Sequence, residues 1–281
     1  GAGVQINLLV NMVLATGQGS GAVSWLGYAF RIMYLPIGLF GISIASATLP
    51  VVSRHAARKE FDDIRDVVSR ALRLMLVTNL PAMFGLIALA EPIVSLIFER
   101  GSFTAEDSSA TAAALLFYAP GLIGYSVVRI AVPCFYALGN SLVPAYISLA
   151  SVILNVSLNL FLVELMGYRG LALGTSVTAL ANAVTLLAFL QYRLNGLDLR
   201  RVLLVFTKIS AASTVMAISA WSANEFFSSY WPGLALAVEI LRLSISIVLG
   251  ITVLIAVSRL LRIEEVAQMW QQLRTRIRRS D

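Results

Sequence analysis

Long apolar runs broken by short polar segments dominate the chain. Eight of them, at about residues 3–18, 22–52, 72–90, 110–138, 142–164, 170–191, 202–222 and 233–258, approach or exceed the length of a membrane-crossing helix. At 1.5 Å rise per residue that length is roughly 20 residues. The first run is short and carries Gln5, Asn7 and Asn11. The second and fourth are long enough to tilt or to continue as helix beyond the bilayer. The pattern predicts an all-α fold, a polytopic transmembrane helix bundle of about eight spans. Composition agrees: 58% of residues are hydrophobic and 13% charged, and the mean hydropathy of +0.83 is too high for a soluble domain.

Charge orients the bundle. Arg54, Arg58, Lys59, Arg65, Arg70 and Arg73 lie between spans 2 and 3 or at their edges, and Arg193, Arg200, Arg201 and Lys208 surround the junction of spans 6 and 7. The tail adds Arg259, Arg262, Arg274, Arg276, Arg278 and Arg279. With alternating spans these share one side, and only Arg100 and Arg169 fall opposite. The positive-inside rule then places both ends of this chain in the cytoplasm. The net charge of +6 points to anionic membrane lipids as partners, and not to nucleic acid. The opening Gly1-Ala2-Gly3 has neither an initiator Met nor a charged leader, so the chain is expected to be part of a longer protein.

Two polar segments have helical periodicity. Phe61, Ile64, Val67, Val68 and Leu72 form an apolar stripe in the segment feeding span 3, the mark of a surface helix. Ile263, Val266, Trp270, Leu273 and Ile277 repeat the design in the tail, with arginines on the other face. That tail either lies on the cytoplasmic membrane surface or caps the bundle.

The residue inventory argues against catalysis. A single Cys, Cys134, forms no internal disulfide, and with a single His, His55, there is no zinc or iron cluster. His55 reads as a solvated loop residue among basic neighbours. No P-loop, dinucleotide fingerprint or acidic metal cluster is visible. Asp62, Asp63 and Asp66 interleave with Arg58, Lys59 and Arg65 as on a salt-bridged surface helix. No catalytic residue is assigned.

Three arginines, Arg31, Arg129 and Arg242, sit well inside apolar spans, where an unpaired guanidinium is costly and marks a functional path. Pro36 follows Arg31, and Pro120 and Pro133 flank Arg129, so kinked helices around a water-filled chamber for an anionic group are expected. Arg31 has no carboxylate three or four residues away. Arg242 has Glu239 three residues before it, a self-contained pair by spacing. A second, uncharged set comprises Asn7 and Asn11, Asn155 and Asn159, and Thr175, Thr178 and Asn182, each set on one helix face. Their oxygens serve either to ligate a small hard cation such as sodium or to hydrogen-bond helix to helix, and the lack of a carboxylate favours the second.

Phe98-Glu99-Arg100-Gly101-Ser102-Phe103-Thr104-Ala105-Glu106-Asp107 has a clear local logic. Gly101 stops a short helix begun after Pro92, Thr104 is an N-cap, and Asp107 completes a capping-box-like start to span 4. As a string it closely resembles the FERGxFTxxD signature of the MurJ/MviN family of lipid II flippases. Val4-Gln5-Ile6-Asn7-Leu8-Leu9, Leu35-Pro36-Ile37-Gly38-Leu39-Phe40-Gly41, Leu49-Pro50 with Ser53-Arg54, and Phe135-Tyr136-Ala137-Leu138-Gly139-Asn140 extend the resemblance.

The resemblance covers residues 1–195 well and the last two spans by hydropathy. It implies a lobe of the MOP exporter superfamily, MATE-like, with the eight spans as helices 7 to 14. Residues 1–195 would be the C-terminal six-helix lobe, 196–260 two additional helices, and 261–281 a cytoplasmic amphipathic basic tail. The implied function is movement of lipid II, the lipid-linked peptidoglycan precursor, from inner to outer leaflet of the bacterial cytoplasmic membrane by alternating access, with a missing N-terminal lobe as partner. Arg31 matches the family's cavity arginine, although neighbouring acidic positions of that motif are Phe30 and Tyr34 here. The substrate-binding candidates are Arg31, Arg129, Glu239 and Arg242, the last pair by proximity to the groove for the prenyl tail. The family's sodium site maps onto Asn11, Asn155, Asn159, the Leu171 carbonyl and Thr175, with Asn at two positions, 11 and 159, that are Asp in some relatives. No cofactor is implied; sodium or the membrane potential would drive coupling. The rival readings are another exporter of the superfamily, for drugs or polysaccharide lipids, and a non-transporting scaffold of cell-wall synthesis.

Overall fold

The computed structural model describes residues 2–230 and 236–266. Its helices are α1 (Ala2–Thr16), α2 (Ala22–Pro36), α3 (Ile42–Ala57), α4 (Phe61–Ala88), α5 (Ala90–Phe98), α6 (Ala105–Tyr118), α7 (Gly121–Ala137), α8 (Leu142–Met166), α9 (Tyr168–Arg193), α10 (Leu199–Tyr230) and α11 (Leu236–Leu260). A π-helical turn, Ile37–Gly41, joins α2 to α3 directly after Pro36. Proline carries no N–H and obstructs the regular ladder, and a wider turn is one way to restore it.

Six spans are long and apolar enough to cross a membrane by themselves, counting α2 through α3 as one, and the bent pair α6–α7 makes seven. The expectation of eight differs at α1, whose 15 described residues reach only about 22 Å at 1.5 Å per residue, against a hydrocarbon core of about 30 Å. The fourth expected span bends by 48° between α6 and α7, at Ala119 and Pro120. The polar segment before span 3 is no separate helix. It divides between the end of α3 and the start of α4, with Lys59 at φ 58° between them, and Asp62 and Asp63 occupy the first turn of α4, where carboxylates complement the helix dipole.

The loops define two ends. Arg58–Glu60 and Leu194–Asp198 meet at one, where Arg65 Nε donates to the Leu194 carbonyl; this basic end faces away from the α5–α6 turn. Near the basic end Ile64, Val68, Leu72, Met75, Ile130, Phe135, Leu186 and Leu190 form one core. Towards the turn, Leu26, Met33, Ile37, Val94, Leu115, Leu122 and Leu171 form a second. Helices in lipid gain little from apolar burial, so close approach and hydrogen bonds hold them together. At the α7–α9 crossing a Cβ on Gly124 would lie 2.4 Å from the Ala179 carbonyl carbon, so only glycine permits that contact.

Helices α10 and α11 pack beside this body of five spans and α1. Leu76, Val77 and Leu80 of α4 bury against Val205, Ile209 and Ile263, and Leu89 packs with Ala220 and Leu243 towards the other end. The first residues of the tail dock on the bundle: Ile263 is buried, Arg73 pairs with Glu265 at 2.7 Å, and Arg201 pairs with Glu264 at 2.7 Å. Capping therefore describes this part of the tail. Trp270, Leu273 and Ile277 of its expected stripe lie outside the described residues. Leu149, Ile153, Phe161, Leu204, Ile218, Val248 and Ile251 are exposed along α8, α10 and α11, as a lipid-facing surface requires. The chain is a multi-pass membrane protein.

Candidate functional site

The α5–α6 turn is built as its residues demand. Thr104 Oγ1 accepts the Asp107 N–H while the Asp107 carboxylate accepts the Thr104 N–H, a complete capping box. Asp107 also receives Trp25 Nε1 at 2.8 Å, which ties α6 to α2. Phe98 and Phe103 pack on Tyr28, with centroids 4.5 and 5.6 Å away. Arg31, one turn further along α2, places its guanidinium 5.7 Å from the Tyr28 centroid. Arg31 is exposed, and among the described residues it makes no ion pair.

Arg129 lies in the wall of a cavity of about 650 Å³ bounded by α2, α3, α7, α8 and α9. It donates to the Tyr34 hydroxyl and lies 5.4 Å from that ring's centroid. Tyr34 is three residues from Arg31 on α2, but Arg31 turns to Tyr28 and is not among the residues lining this cavity. The rest of the wall is apolar or neutral, with Tyr125, Tyr136, Ser46, Ser148 and Asn182 as its polar members. Among the described residues Arg129 is the only charged one in that lining.

Asn11, Asn155, Asn159, Leu171 and Thr175 come together between α1, α8 and α9. Asn159 Nδ2 donates to Asn11 Oδ1 at 2.5 Å and to Asn155 Oδ1 at 3.0 Å. Asn11 Nδ2 donates to Thr175 Oγ1 at 3.0 Å, and Thr175 Oγ1 donates to the Leu171 carbonyl at 2.7 Å. The Asn159 Oδ1 atom is buried without a hydrogen-bond partner; a Cβ on Gly174 would lie 2.1 Å from it. This set does not fit a sodium ion as it stands. The oxygens of Asn11, Asn155, Thr175 and Leu171 already accept hydrogen bonds, Asn159 Oδ1 is the one left free, and no carboxylate offsets dehydration of the ion. An adjoining cavity of about 70 Å³ adds the buried, unpartnered amide oxygens of Asn7 and Asn182, polar walls that suit water.

Glu239 and Arg242 are elsewhere. They line a separate cavity near the α5–α6 turn, with residues of α5, α6 and α10. The self-contained pair expected from their spacing does not form, since no contact within 4.0 Å joins them among the described residues. Spacing by three residues brings two Cβ atoms together, but neighbouring helices decide where long side chains turn. His55 is a second correction. It stands in the last turn of α3, not in a loop, with Nδ1 2.7 Å from Glu60 and 3.8 Å from Asp63.

The family described as Lipid II flippase MurJ matches residues 1–242. The chain belongs to this family. A Rickettsia prowazekii protein described as "Probable lipid II flippase MurJ" is 30% identical over 260 residues, 92% of this chain and 51% of that protein. A solved lipid II flippase MurJ in an inward closed conformation superposes with a TM-score of 0.74 at 26% identity, covering 91% of this chain and 50% of the other. An outward-facing multidrug resistance MATE transporter of the MOP superfamily has a TM-score of 0.55 at 14% identity, over 95% of this chain and 64% of that one, and so shares the fold. The chain spans about half the length of the MurJ relatives it matches.

The signature turn and Arg31 are physically connected through Tyr28, a residue to which the sequence analysis gives no role. Its signal was present, since Tyr28 and Arg31 are three residues apart on one helix. Tyr34 was equally legible as the neighbour of Arg31, but its bond to Arg129 of α7 was not. Gly174, which makes room for Asn159, had no signal beyond its small size.

Proposed function

We propose that the protein containing this chain flips lipid II, or a close lipid-pyrophosphate precursor of peptidoglycan, from the inner to the outer leaflet of the bacterial cytoplasmic membrane. This lobe forms one wall of the transport chamber, and an N-terminal lobe forms the other. Residues 1–195 are the lobe proper, 196–260 add two helices beside it, and 261–281 are a basic cytoplasmic tail against anionic lipids. By the distribution of arginines, both ends of the chain face the cytoplasm.

One observation carries the reading: among the described residues the 650 Å³ cavity is lined by a single charged group, the guanidinium of Arg129, and by no carboxylate. A second, exposed guanidinium, that of Arg31, lies three residues before Tyr34 on α2. Such a chamber attracts an anion and supplies charge-assisted, forked hydrogen bonds suited to phosphate oxygens. The Tyr34 hydroxyl accepts a hydrogen bond from Arg129 and keeps the guanidinium pre-oriented. The chain does no bond-making chemistry in this scheme, so the protein is a transporter and not an enzyme.

Alternating access needs bistable packing rather than a covalent step. The bent α6–α7 pair, the π turn after Pro36 and the aromatic wedge at Tyr28 are the elements placed to repack around the arginines. The network at Asn11, Asn155, Asn159, Leu171 and Thr175 acts as hydrogen-bonded helix glue, leaving the membrane potential as the favoured drive.

Depleting the full-length protein, supplying an Arg129→Ala version at normal abundance and measuring the leaflet distribution of lipid II tests the proposal. Accumulation in the inner leaflet is expected. Normal export by Arg129→Ala and Arg31→Ala together would overturn it and favour a scaffold role.

A further inference from the structure

A second polar cavity, of about 260 Å³, opens where α5, the start of α6, the end of α10 and the start of α11 converge. Glu91, Glu99, Glu225 and Glu239 line it, together with Arg242 and Asn224. Asn224 is 6% exposed, and its Oδ1 has no hydrogen-bond partner. Arg242 Nε is likewise buried without one. Glu99 accepts Ser108 Oγ at 2.8 Å. The site therefore offers free acceptors and a free donor within one space, with four carboxylates against one guanidinium.

The spacing of the carboxylates selects the ligand. No three of them converge, for the sole triad of His, Cys, Asp or Glu ligand atoms within 4.8 Å among the described residues is His55, Glu60 and Asp63. A ligand several atoms long suits such a site better than one metal ion. The volume falls just below the ~300 Å³ at which small-molecule pockets begin, which excludes a sugar-peptide and admits a small head group. The setting identifies what bears that head group. Trp221, Phe226 and Tyr230, exposed on the same end of α10, form an aromatic belt of the kind that marks head-group depth. Leu236, Ile240 and Leu241 are exposed on the adjoining part of α11 and give acyl chains an apolar surface.

We propose that this cavity binds the head group of a membrane phospholipid carrying both a phosphate and a primary ammonium. The phosphate receives the Arg242 guanidinium. The ammonium, with three N–H donors and no acceptor, meets the Asn224 amide oxygen and the carboxylates of Glu239 and Glu225. This lipid is distinct from the cargo of the larger cavity, and the site stands whether or not that cavity carries lipid II.

Native mass spectrometry of the intact purified protein with matched phosphatidylethanolamine, phosphatidylcholine and phosphatidylglycerol tests this directly. About tenfold preferential retention of phosphatidylethanolamine is expected, because methylation removes the ammonium donors and glycerol lacks the charge; a factor of ten corresponds to 1.4 kcal/mol. Glu239→Gln combined with Asn224→Leu should bring the first two lipids to parity, and Arg242→Gln should weaken retention of all three. Equal retention by the unmodified protein would overturn the proposal, with no dependence on how well a variant folds. Displacement of the lipid by equimolar soluble phosphoethanolamine would also overturn it, since the site would then be one for a soluble zwitterion.

Discussion

Tyr28 packs against Phe98 with ring centroids 4.5 Å apart and planes tilted by 40°, and the same tyrosine also meets Arg31, 5.7 Å from its centroid. The capped turn and the exposed cation are thus two ends of one aromatic contact. Each aromatic pair contributes about 0.5–1.5 kcal/mol beyond area burial, and an exposed cation–π contact about 0.5–1 kcal/mol. Tyr28→Ala should therefore reduce transport several-fold while the protein still inserts, and Tyr28→Phe should retain most of it. Complementation of a depleted strain, with protein level measured in parallel, checks this; full activity of Tyr28→Ala would separate the turn from the cation.

Arg31→Ala in the full-length protein is expected to abolish function if, as proposed, its guanidinium makes charge-assisted hydrogen bonds to a pyrophosphate. Arg31→Lys should restore only part, as a point charge does not reproduce the planar fork. Growth at wild-type rate on Arg31→Ala alone, at wild-type abundance, would sink the role assigned to it.

Sodium should leave the melting temperature nearly unchanged relative to an equal concentration of choline chloride. The Asn159 amide already bonds Asn11 and Asn155, and neutral oxygens compensate dehydration poorly. Asn11→Asp with Asn159→Asp should create a sodium-dependent rise. A strong sodium-specific shift in the unmodified protein contradicts this account of the network.

Gly174→Ala is expected to lower the melting temperature. Its Cβ would meet the Asn159 oxygen at 2.1 Å, and overpacking of this kind costs about 1–3 kcal/mol. If that contact is the cause, Asn159→Ala in the same chain should be less harmful than the sum of the two changes. Additive losses in thermal melts would place the strain elsewhere.

Produced without the other half of its relatives' length, this chain should insert but not transport. Arg31 would then face lipid, at about 2.5–3.5 kcal/mol on insertion scales before snorkelling relieves it. Co-expression with an N-terminal lobe in depleted cells should rescue growth. Rescue by this chain alone would show that the chamber does not need its second wall.

Much of this architecture is written in local patterns. Apolar run length located the long helices, the distribution of arginines separated the two ends, and Thr104 with Asp107 announced a cap that forms with both reciprocal bonds. What escaped depends on distant chain segments. Glu239 and Arg242 are three residues apart, yet the cavity they share with Glu91 of α5 and Glu225 of α10 decides their orientation. His55 looked solvated because Glu60 and Asp63 return to it only after the left-handed turn at Lys59. By spacing alone the Asn set reads as three separate pairs or faces, and the family resemblance is what grouped Asn11 with Thr175; the hydrogen bond they share across 164 residues came from the fold.

The π turn at Ile37–Gly41 changes which residues count as neighbours around the second span. In an uninterrupted helix, at about 100° per residue, Ile42, Ala45, Ser46 and Leu49 would centre roughly 70° away from Tyr34 in azimuth. One extra residue in the wide turn sets them back by about 100°, so their mean direction falls within roughly 30° of Tyr34. All five residues do line the Arg129 cavity. The span behaves as two rods joined by a quarter-turn coupling: straightening that turn into regular helix with every residue kept would rotate Ile42, Ala45, Ser46 and Leu49 together by about 100°, whereas deleting one residue there would remove the wide turn and leave them on the chamber wall.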